Sequence, residues 1–451
     1  MNNRILAVAK NTFKDYFFNA TSVFLVIMFL LIPFLCSNLL GDGTAEGKFR
    51  VFVTYSFLIS SIIFTVANIS FSCSSISSEW KNKTLLTLDV KPIKRWEIIF
   101  GKWLGMLFIN LVFIAFFILS MSFSSLLVSY KLRENFSEHI NIFKTKSELF
   151  PVLTSESSGE NRSSESQPRD FRFFLFKKAE DRKENYVAKA AGRLDWSFKG
   201  IKLPSKTTVP ANSGQEASED IYLSYRFQTA GSKEQIVSGY WLVGNSSLSG
   251  PFELGTNLLA DKIHRLPIPP QAVSADGQVD IAYLNIDSSN ISVLFPSSDF
   301  KLLYSHGNYW VNLLKGAANI LILVTFIFSI GLCFSCLVSH LTAILATSIL
   351  MSIAYMHEFI EIVAEAFFRE MQVQQQIQFM HRMSYHMLRF FSFIFPPLNE
   401  ALPHSYIGSS LLIPSDYLFA LFMRIIVLGA LPALIVAMVY LSYRELGIPN
   451  E

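Results

Sequence analysis

Six stretches of the chain are apolar over a length able to cross about 30 Å of hydrocarbon at a rise of about 1.5 Å per residue. They lie at about 21–41, 51–72, 103–129, 311–333, 337–356 and 417–442. The pattern predicts six transmembrane helices with both termini on one side. Between the third and fourth runs the pattern changes. Residues 131–307 hold 42 of the 73 charged side chains, 21 basic and 21 acidic, and the other 274 residues carry only 31. The chain therefore reads as a membrane protein interrupted by one soluble domain.

That insert divides again. Residues 146–168 are rich in Ser and Glu and read as a flexible linker. From about 169 short β-like runs follow, at Phe171 to Lys178, Asp195 to Lys199, Ile221 to Gln228, Ile236 to Val243, Val279 to Ile286, Ile291 to Phe295 and Phe300 to Tyr304. Period-two alternation sets Ile221, Leu223, Tyr225 and Phe227 against Tyr222, Ser224, Arg226 and Gln228. Seven short strands suggest an antiparallel sandwich, with a jelly roll as one form of it. Tyr222, Tyr225, Tyr240 and Trp241 are candidates for an exposed carbohydrate or lipid surface, weighed against the need for half of a strand's aromatics to face the core. Tyr309 and Trp310 read as interface anchors at the return to the membrane.

Composition agrees with this division. Hydrophobic residues make up 51% of the chain and charged residues 16%, against about 25% charged in ordinary globular proteins. A purely soluble enzyme and a disordered tail are excluded. Net charge is +3 without a dense Lys/Arg patch, which excludes a nucleic-acid partner. Cys36, Cys73, Cys333 and Cys336 all fall in apolar stretches, so no disulfide framework is expected. Cys333 and Cys336 have CxxC spacing, most simply as packing residues.

Basic residues set the orientation. Arg4, Lys10 and Lys14 precede the first run, and Lys81, Lys83, Lys91, Lys94, Arg95 and Lys102 lie between the second and third, so these segments read as cytoplasmic. The neutral 131–307 block and the segment 357–416 then fall outside. The first apolar run begins only near residue 21 and no small-residue cleavage site follows, so a cleavable signal peptide is not expected. The resulting organisation is a cytoplasmic amphipathic helix at 1–20, with Ile5, Ala9, Phe13 and Phe17 on one face; spans 1–3 at 21–130 with a loop at 74–102; an extracytoplasmic linker at 131–168; a β-rich domain at 169–307; spans 4–5 at 308–356; an extracytoplasmic amphipathic segment at 357–416; and span 6 with a short tail at 417–451.

The loop at 74–102 predicts a helix ending near Asp89, a break at Pro92 and a new helix from about Lys94. This rigid elbow suits docking to a cytoplasmic partner, or an interfacial helix whose lysines meet anionic headgroups. Its residues Glu79, Lys83-Thr84-Leu85-Leu86, Lys91-Pro92-Ile93-Lys94-Arg95 and Gly101-Lys102 resemble the loop between the second and third spans of type-2 ABC exporter permeases. The resemblance extends to the N-terminal amphipathic helix, the six spans, the Phe393-Ile-Phe-Pro-Pro-Leu398 segment and the Tyr443-Arg-Glu-Leu446 ending. It implies that this loop is the coupling helix seating in a separate ABC ATPase subunit, with Glu79, Lys83, Thr84, Pro92, Lys94, Arg95 and Lys102 as coupling residues. It also implies a second permease copy or paralogue, and a multi-pass location in the cytoplasmic (inner) membrane with both termini cytoplasmic. Two features depart from the family pattern: Lys91 before the proline, and the large insert after the third span, which leaves the substrate class open.

No Gly-x-x-x-x-Gly-Lys-Ser/Thr phosphate cradle occurs in the sequence, so the chain is expected to have no ATPase site and to bind no cofactor, with ATP used by the partner. Polar groups inside the spans are few. Asn68, Asn110, Asn319 and Arg424 are candidates for a translocation path, and His340 is a further polar residue there. Arg424 is expected to pair with an acid such as Glu358 or Glu361; the simpler reading has asparagines joining helices and Arg424 reaching the interface. His357, Glu361 and Glu365 share a helix face that could gather a metal, although a solvated acidic face is the simpler account and no metal is expected. The fold class is mostly α, a six-span helical permease with an inserted extracytoplasmic β-sandwich-like domain. A membrane protein that transports nothing and relays force or signal from a cytoplasmic ATPase to that domain is the alternative function.

Overall fold

A computed structural model describes residues 2–41, 45–81, 94–135, 144–156, 185–189, 192–201, 221–229, 236–244, 252–274, 276–286, 291–297, 299–373, 379–394 and 397–443. They fall into a helical unit (Met1–Ile142, Trp310–Ser409 and Ile413–Glu451) and a sheet unit (Phe143–Tyr309 and Ser410–Leu412).

The helical unit begins with α1 (Asn2–Phe17), α2 (Ala20–Cys36), α3 (Ala45–Lys81) and α4 (Arg95–Asn135). After the insert come α5 (Tyr309–Leu337), α6 (His340–Tyr355), α7 (His357–Val373), α8 (Phe379–Ile394) and α9 (His404–Gly408). The last stretch runs through α10 (Ser415–Phe422), a π-helical segment Met423–Ala430 and α11 (Leu431–Tyr443). Four helical stretches are long and apolar enough to span a membrane: Gly47–Glu79, Arg95–Leu132, Tyr309–Leu337 and Ser415–Tyr443. The expected first and fifth spans are α2 and α6, of 17 and 16 residues, each about 25 Å long. They reach spanning length only with their bent neighbours, α1 at 71° to α2 and α7 at 55° to α6, which would bring the number to six.

Aromatic stacking fills the space between α2, α3 and α4, where Phe29 and Phe64 stack at 4.1 Å and Phe117 meets Phe57 edge-on at 5.2 Å. A second cluster joins Cys73 of α3, Leu323 and Ile327 of α5, Met351 of α6 and Ile425 of the last stretch. A third joins Ile76, Ile99, Met106, Phe328, Leu332, Leu434 and Leu441, with Cys333 and Cys336 among them. All four cysteines are buried free thiols. Val66, Leu119, Ile349 and Leu428 are more than half exposed, as hydrocarbon solvent permits and water disfavours.

The sheet unit contains, among the described residues, β1 (Lys144–Leu149), β2 (Val152–Glu156), β3 (Asn185–Ala188), β4 (Arg193–Lys199), β5 (Ile221–Arg226), β6 (Gln228–Thr229), β7 (Ile236–Val243), β8 (Phe252–Leu259), β9 (Ile263–Pro267), β10 (Gln278–Asn285), β11 (Val293–Pro296) and β12 (Lys301–Asn308). They form antiparallel sheets of order β1-β12-β5-β9, β2-β4-β10-β7-β8 and β3-β11-β6. One core serves all three, with Trp196, Trp241, Tyr225, Phe295 and Phe300 at its centre. The alternation along β5 is as expected: Ile221, Leu223, Tyr225 and Phe227 belong to that core.

Two expectations for this unit are corrected. The 146–168 stretch begins with strands, because β1 and the Ser/Glu-rich β2 pair through backbone with β12 and β4; as edge strands they need few apolar side chains. Of the four candidates for an aromatic surface only Tyr240 stays partly exposed, donating to Glu253 Oε2 at 3.0 Å; Tyr225 and Trp241 are buried in the core, and burial pushes the Tyr225 phenol up to about 12. Tyr222 is itself buried and lies between Lys146 and Arg265, at 5.0 and 5.2 Å from their charges. Phe171 to Lys178, expected as a strand, lies outside the described residues.

Candidate coupling site at the α3–α4 elbow

The C-terminal end of α3 is Ser-rich, and the face that packs on other helices must satisfy its polar groups internally. Glu79 lies one turn beyond Ser75 on that face, and both meet Lys102, two turns into α4. Lys102 Nζ is 2.7 Å from Glu79 Oε1 and donates to the Ser75 carbonyl at 2.8 Å. Lys102 is only 3% exposed, so its charge is held by these contacts in place of water. The two sides of the elbow are thus clamped together at its base.

Lys94 caps the first turn of α4. Its backbone N–H donates to Glu97 Oε2 at 3.0 Å, half of a capping box, and the buried carboxylate sits at the positive end of the helix dipole. The Lys94 side chain is exposed. Arg95 turns the other way: Nη1 donates to the carbonyls of Leu441 and Ser442 in the last turn of α11 at 3.2 and 3.4 Å. Arg95 therefore holds the last helix. Lys83, Thr84 and Pro92, with the expected helix end at Asp89, lie outside the described residues.

The amphipathic α1 packs on the same part of α4. A Cβ at Gly101 would stand 2.7 Å from Val8 Cβ, and one at Gly105 would stand 2.7 Å from Thr12 Cβ and 2.8 Å from the Ala9 carbonyl. Only glycine lets the backbones approach this closely, a small-xxx-small contact. Tyr16 Oη then reaches the Phe71 carbonyl and Ser74 of α3, both at 3.2 Å. Gly105, Glu97, Ser75 and Tyr16 were not singled out by sequence. The four-residue spacing of Gly101 and Gly105 was the readable signal; a backbone carbonyl such as that of Ser75 leaves none.

Residues 4–143 match the family described as ABC-2 family transporter protein. This stretch carries an ABC-2 transporter domain. It covers α1 to α4 and so contains the whole elbow, and it is consistent with a type-2 ABC permease. No curated protein and no solved structure matches the chain. With the apolar helices, the ABC-2 domain supports a multi-pass membrane permease of an ABC transporter.

Within the ABC-2 domain, Asn68 and Asn110 face each other. Asn68 Nδ2 donates to Asn110 Oδ1 at 2.9 Å and Asn110 Nδ2 returns the bond at 2.7 Å, while each amide also donates to a carbonyl one turn back, Phe64 at 2.8 Å and Met106 at 3.0 Å. Both are buried, and every amide hydrogen is used, so the pair bolts α3 to α4. Asn68→Leu is expected to cost about 1–3 kcal/mol by stranding the Asn110 amide. The Asn68→Leu/Asn110→Leu double variant should cost less than the sum of the singles. A thermal-unfolding cycle in detergent checks this, and strictly additive costs would remove the pairing.

Beyond the ABC-2 domain, Asn319 of α5 is fully buried and neither side-chain polar atom has a hydrogen-bond partner among the described residues. Arg424, in the first turn of the π-helical segment, lies 3.9 Å from Glu400 Oε2, each side chain 17% exposed. The expected partners are engaged elsewhere: Glu358 accepts from Asn399 Nδ2 at 2.8 Å, and Glu361 accepts from Ser392 Oγ at 3.2 Å. Glu400 lies nearer because the turn after Leu398 returns the chain towards α10, where Tyr417 Oη bonds the Glu400 carbonyl at 2.7 Å. His340 Nδ1 lies 3.4 Å from Ser77 Oγ.

On the His357, Glu361 and Glu365 face the acids keep access to solvent, the Glu361 side chain being 46% exposed, whereas His357 is only 2% exposed. Its Nε2 lies 3.1 Å from both the Oγ and the carbonyl of Ser392, across the α7–α8 pair. Although His, Ser and Glu meet here, Glu361 approaches the same Nε2 at 4.0 Å. A hydrolytic triad needs the acid on the other ring nitrogen, so the arrangement pins two helices together. Among the described residues no three His, Cys, Asp or Glu side chains converge as a metal site.

Proposed function

We propose that the chain is the membrane-spanning subunit of a type-2 ABC exporter, paired with a second copy or a paralogue and driven by a separate cytoplasmic ATPase. In this reading the termini and the 74–102 elbow are cytoplasmic, the sheet unit is extracytoplasmic, and the membrane is the cytoplasmic one. The chain itself performs no catalysis and holds no cofactor; ATP is bound and hydrolysed by the partner. The observation that carries the reading is the ABC-2 match over α1 to α4, with an elbow whose base is closed by Glu79 and Lys102.

The geometry suits transmission. A push on the elbow reaches α3 through Lys102, α11 through Arg95 and α1 through Gly101 and Gly105. Asn68 and Asn110 keep α3 and α4 moving together. Arg424, paired with Glu400 from the turn before the last span, and Asn319 are polar groups that a substrate path would use.

Lys94 separates docking from folding, because its side chain is exposed and its structural bond is made by backbone. Lys94→Glu should weaken copurification with the ATPase about tenfold, some 1.4 kcal/mol, without changing thermal stability. Arg95→Gln should instead lower stability. Undiminished ATPase recovery with Lys94→Glu would remove Lys94 from the docking surface, and no ATPase recovered with the native chain would overturn the reading. Substrate-stimulated ATP hydrolysis in reconstituted vesicles separates transport from a force relay.

A further inference from the structure

Beside the small-residue contact of α1 and α4 a groove of about 590 Å³ opens, lined by Leu6, Lys10 and Phe13 of α1 and by Phe108, Leu111 and Ala115 of α4. It is an open groove along the helix surface and not an enclosed cavity. The floor is Ala9, 1% exposed, whereas Leu6, Phe108 and Leu111 are 60%, 44% and 42% exposed.

The depth of the groove can be read from α4. Gly105 touches α1, and Ala115 lies ten residues further on, about 15 Å along the helix axis. That is about half of a 30 Å hydrocarbon layer, the reach of one leaflet. Helix α1 bends 71° from α2, so with α2 near the bilayer normal α1 lies close to the membrane plane. The groove thus starts beneath an interfacial helix and descends along a span. Its one charged lining residue is a cation, Lys10, on the helix that also carries Lys14, and both side chains are exposed. An apolar slot one leaflet deep with a cation at its interfacial end complements a single-chain apolar tail beneath a negative headgroup.

We propose that this groove is a binding site for an anionic phospholipid, one acyl chain lying along Phe108, Leu111 and Ala115 and the phosphate held by Lys10. The site rests on α4 being a membrane span and is independent of coupling to an ATPase. Bound lipid would fasten α1 against α4 next to the elbow.

The test uses the full chain purified in a neutral detergent, with thermal unfolding followed as phosphatidylglycerol or phosphatidylcholine is added. Phosphatidylglycerol should raise Tm by several degrees and phosphatidylcholine by clearly less. Lys10→Gln, an exposed substitution, should bring the phosphatidylglycerol shift down to that of phosphatidylcholine, and Ala115→Trp, which fills the slot, should abolish both. Equal shifts from the two lipids with the native chain, or an unchanged phosphatidylglycerol shift in Lys10→Gln, would overturn the proposal. So would efficient cross-linking of Ala115→Cys between two copies in membranes, which would show the groove covered by a second chain. ATPase copurification does not enter these readouts, so failure here leaves the permease reading standing.

Discussion

Lys102→Met is expected to be among the most damaging single substitutions in the helical unit, lowering stability by about 3–5 kcal/mol. The ammonium is almost wholly removed from water, 2.7 Å from Glu79 and 2.8 Å from the Ser75 carbonyl. Methionine keeps most of the stem's packing but leaves the Glu79 carboxylate beside an apolar side chain. The penalty therefore comes from the charge left behind more than from the attraction lost. Consequently Glu79→Gln should restore part of the loss when combined with Lys102→Met, although Glu79→Gln alone destabilises. Denaturant unfolding in detergent, with ATPase copurification in parallel, measures both effects. A Lys102→Met protein as stable as the native chain would show the clamp to be without weight. If α3 and α4 splay when the clamp opens, docking should fail even with Lys94 intact.

Trp196→Ala should have an effect of similar size in the other unit, about 3–5 kcal/mol from lost burial and the cavity left. Trp196 meets Phe300 at 4.4 Å, Tyr186 at 5.7 Å, Phe295 at 5.7 Å and Trp241 at 6.2 Å. No neighbouring side chain is large enough to refill that space without giving up its own contacts. The core it belongs to contains residues of the sheet unit alone. Near-UV circular dichroism and proteolysis should therefore report loss of the sheet unit, while helical signal and ATPase copurification persist. Simultaneous loss of the helices would show that the two units do not fold independently.

What could be read from sequence divides by where a residue finds its partners. Five of the six inner strands of the three sheets, β4, β5, β7, β10 and β11, and the sixth, β12, all fell on expected runs, because a strand paired on both sides and packed on the core must be apolar at alternate positions. The strands left unrecognised, β1, β2, β3, β8 and β9, are all edges. An edge strand is held largely by backbone bonds on one side, and Lys-Thr-Lys-Ser-Glu-Leu in β1 announces nothing of them. The elbow followed the same rule. Its charged residues stood out against an apolar background, but their targets did not, since Arg95 ends on carbonyls some 346 residues away and Lys102 on the carbonyl of Ser75. Helix lengths misled for a related reason. Hydropathy counts residues and is blind to direction, so the 71° bend before α2 and the 55° bend after α6 left no mark in the apolar runs.

The grip of Arg95 on the end of α11 carries a topological consequence. The ABC-2 match ends at residue 143, yet this contact joins α4 to α11, the last of the described helices. The first and last thirds of the polypeptide are thereby latched together. An insertion after α4 can vary in length without breaking the latch, because the latch is made between residues on either side of it.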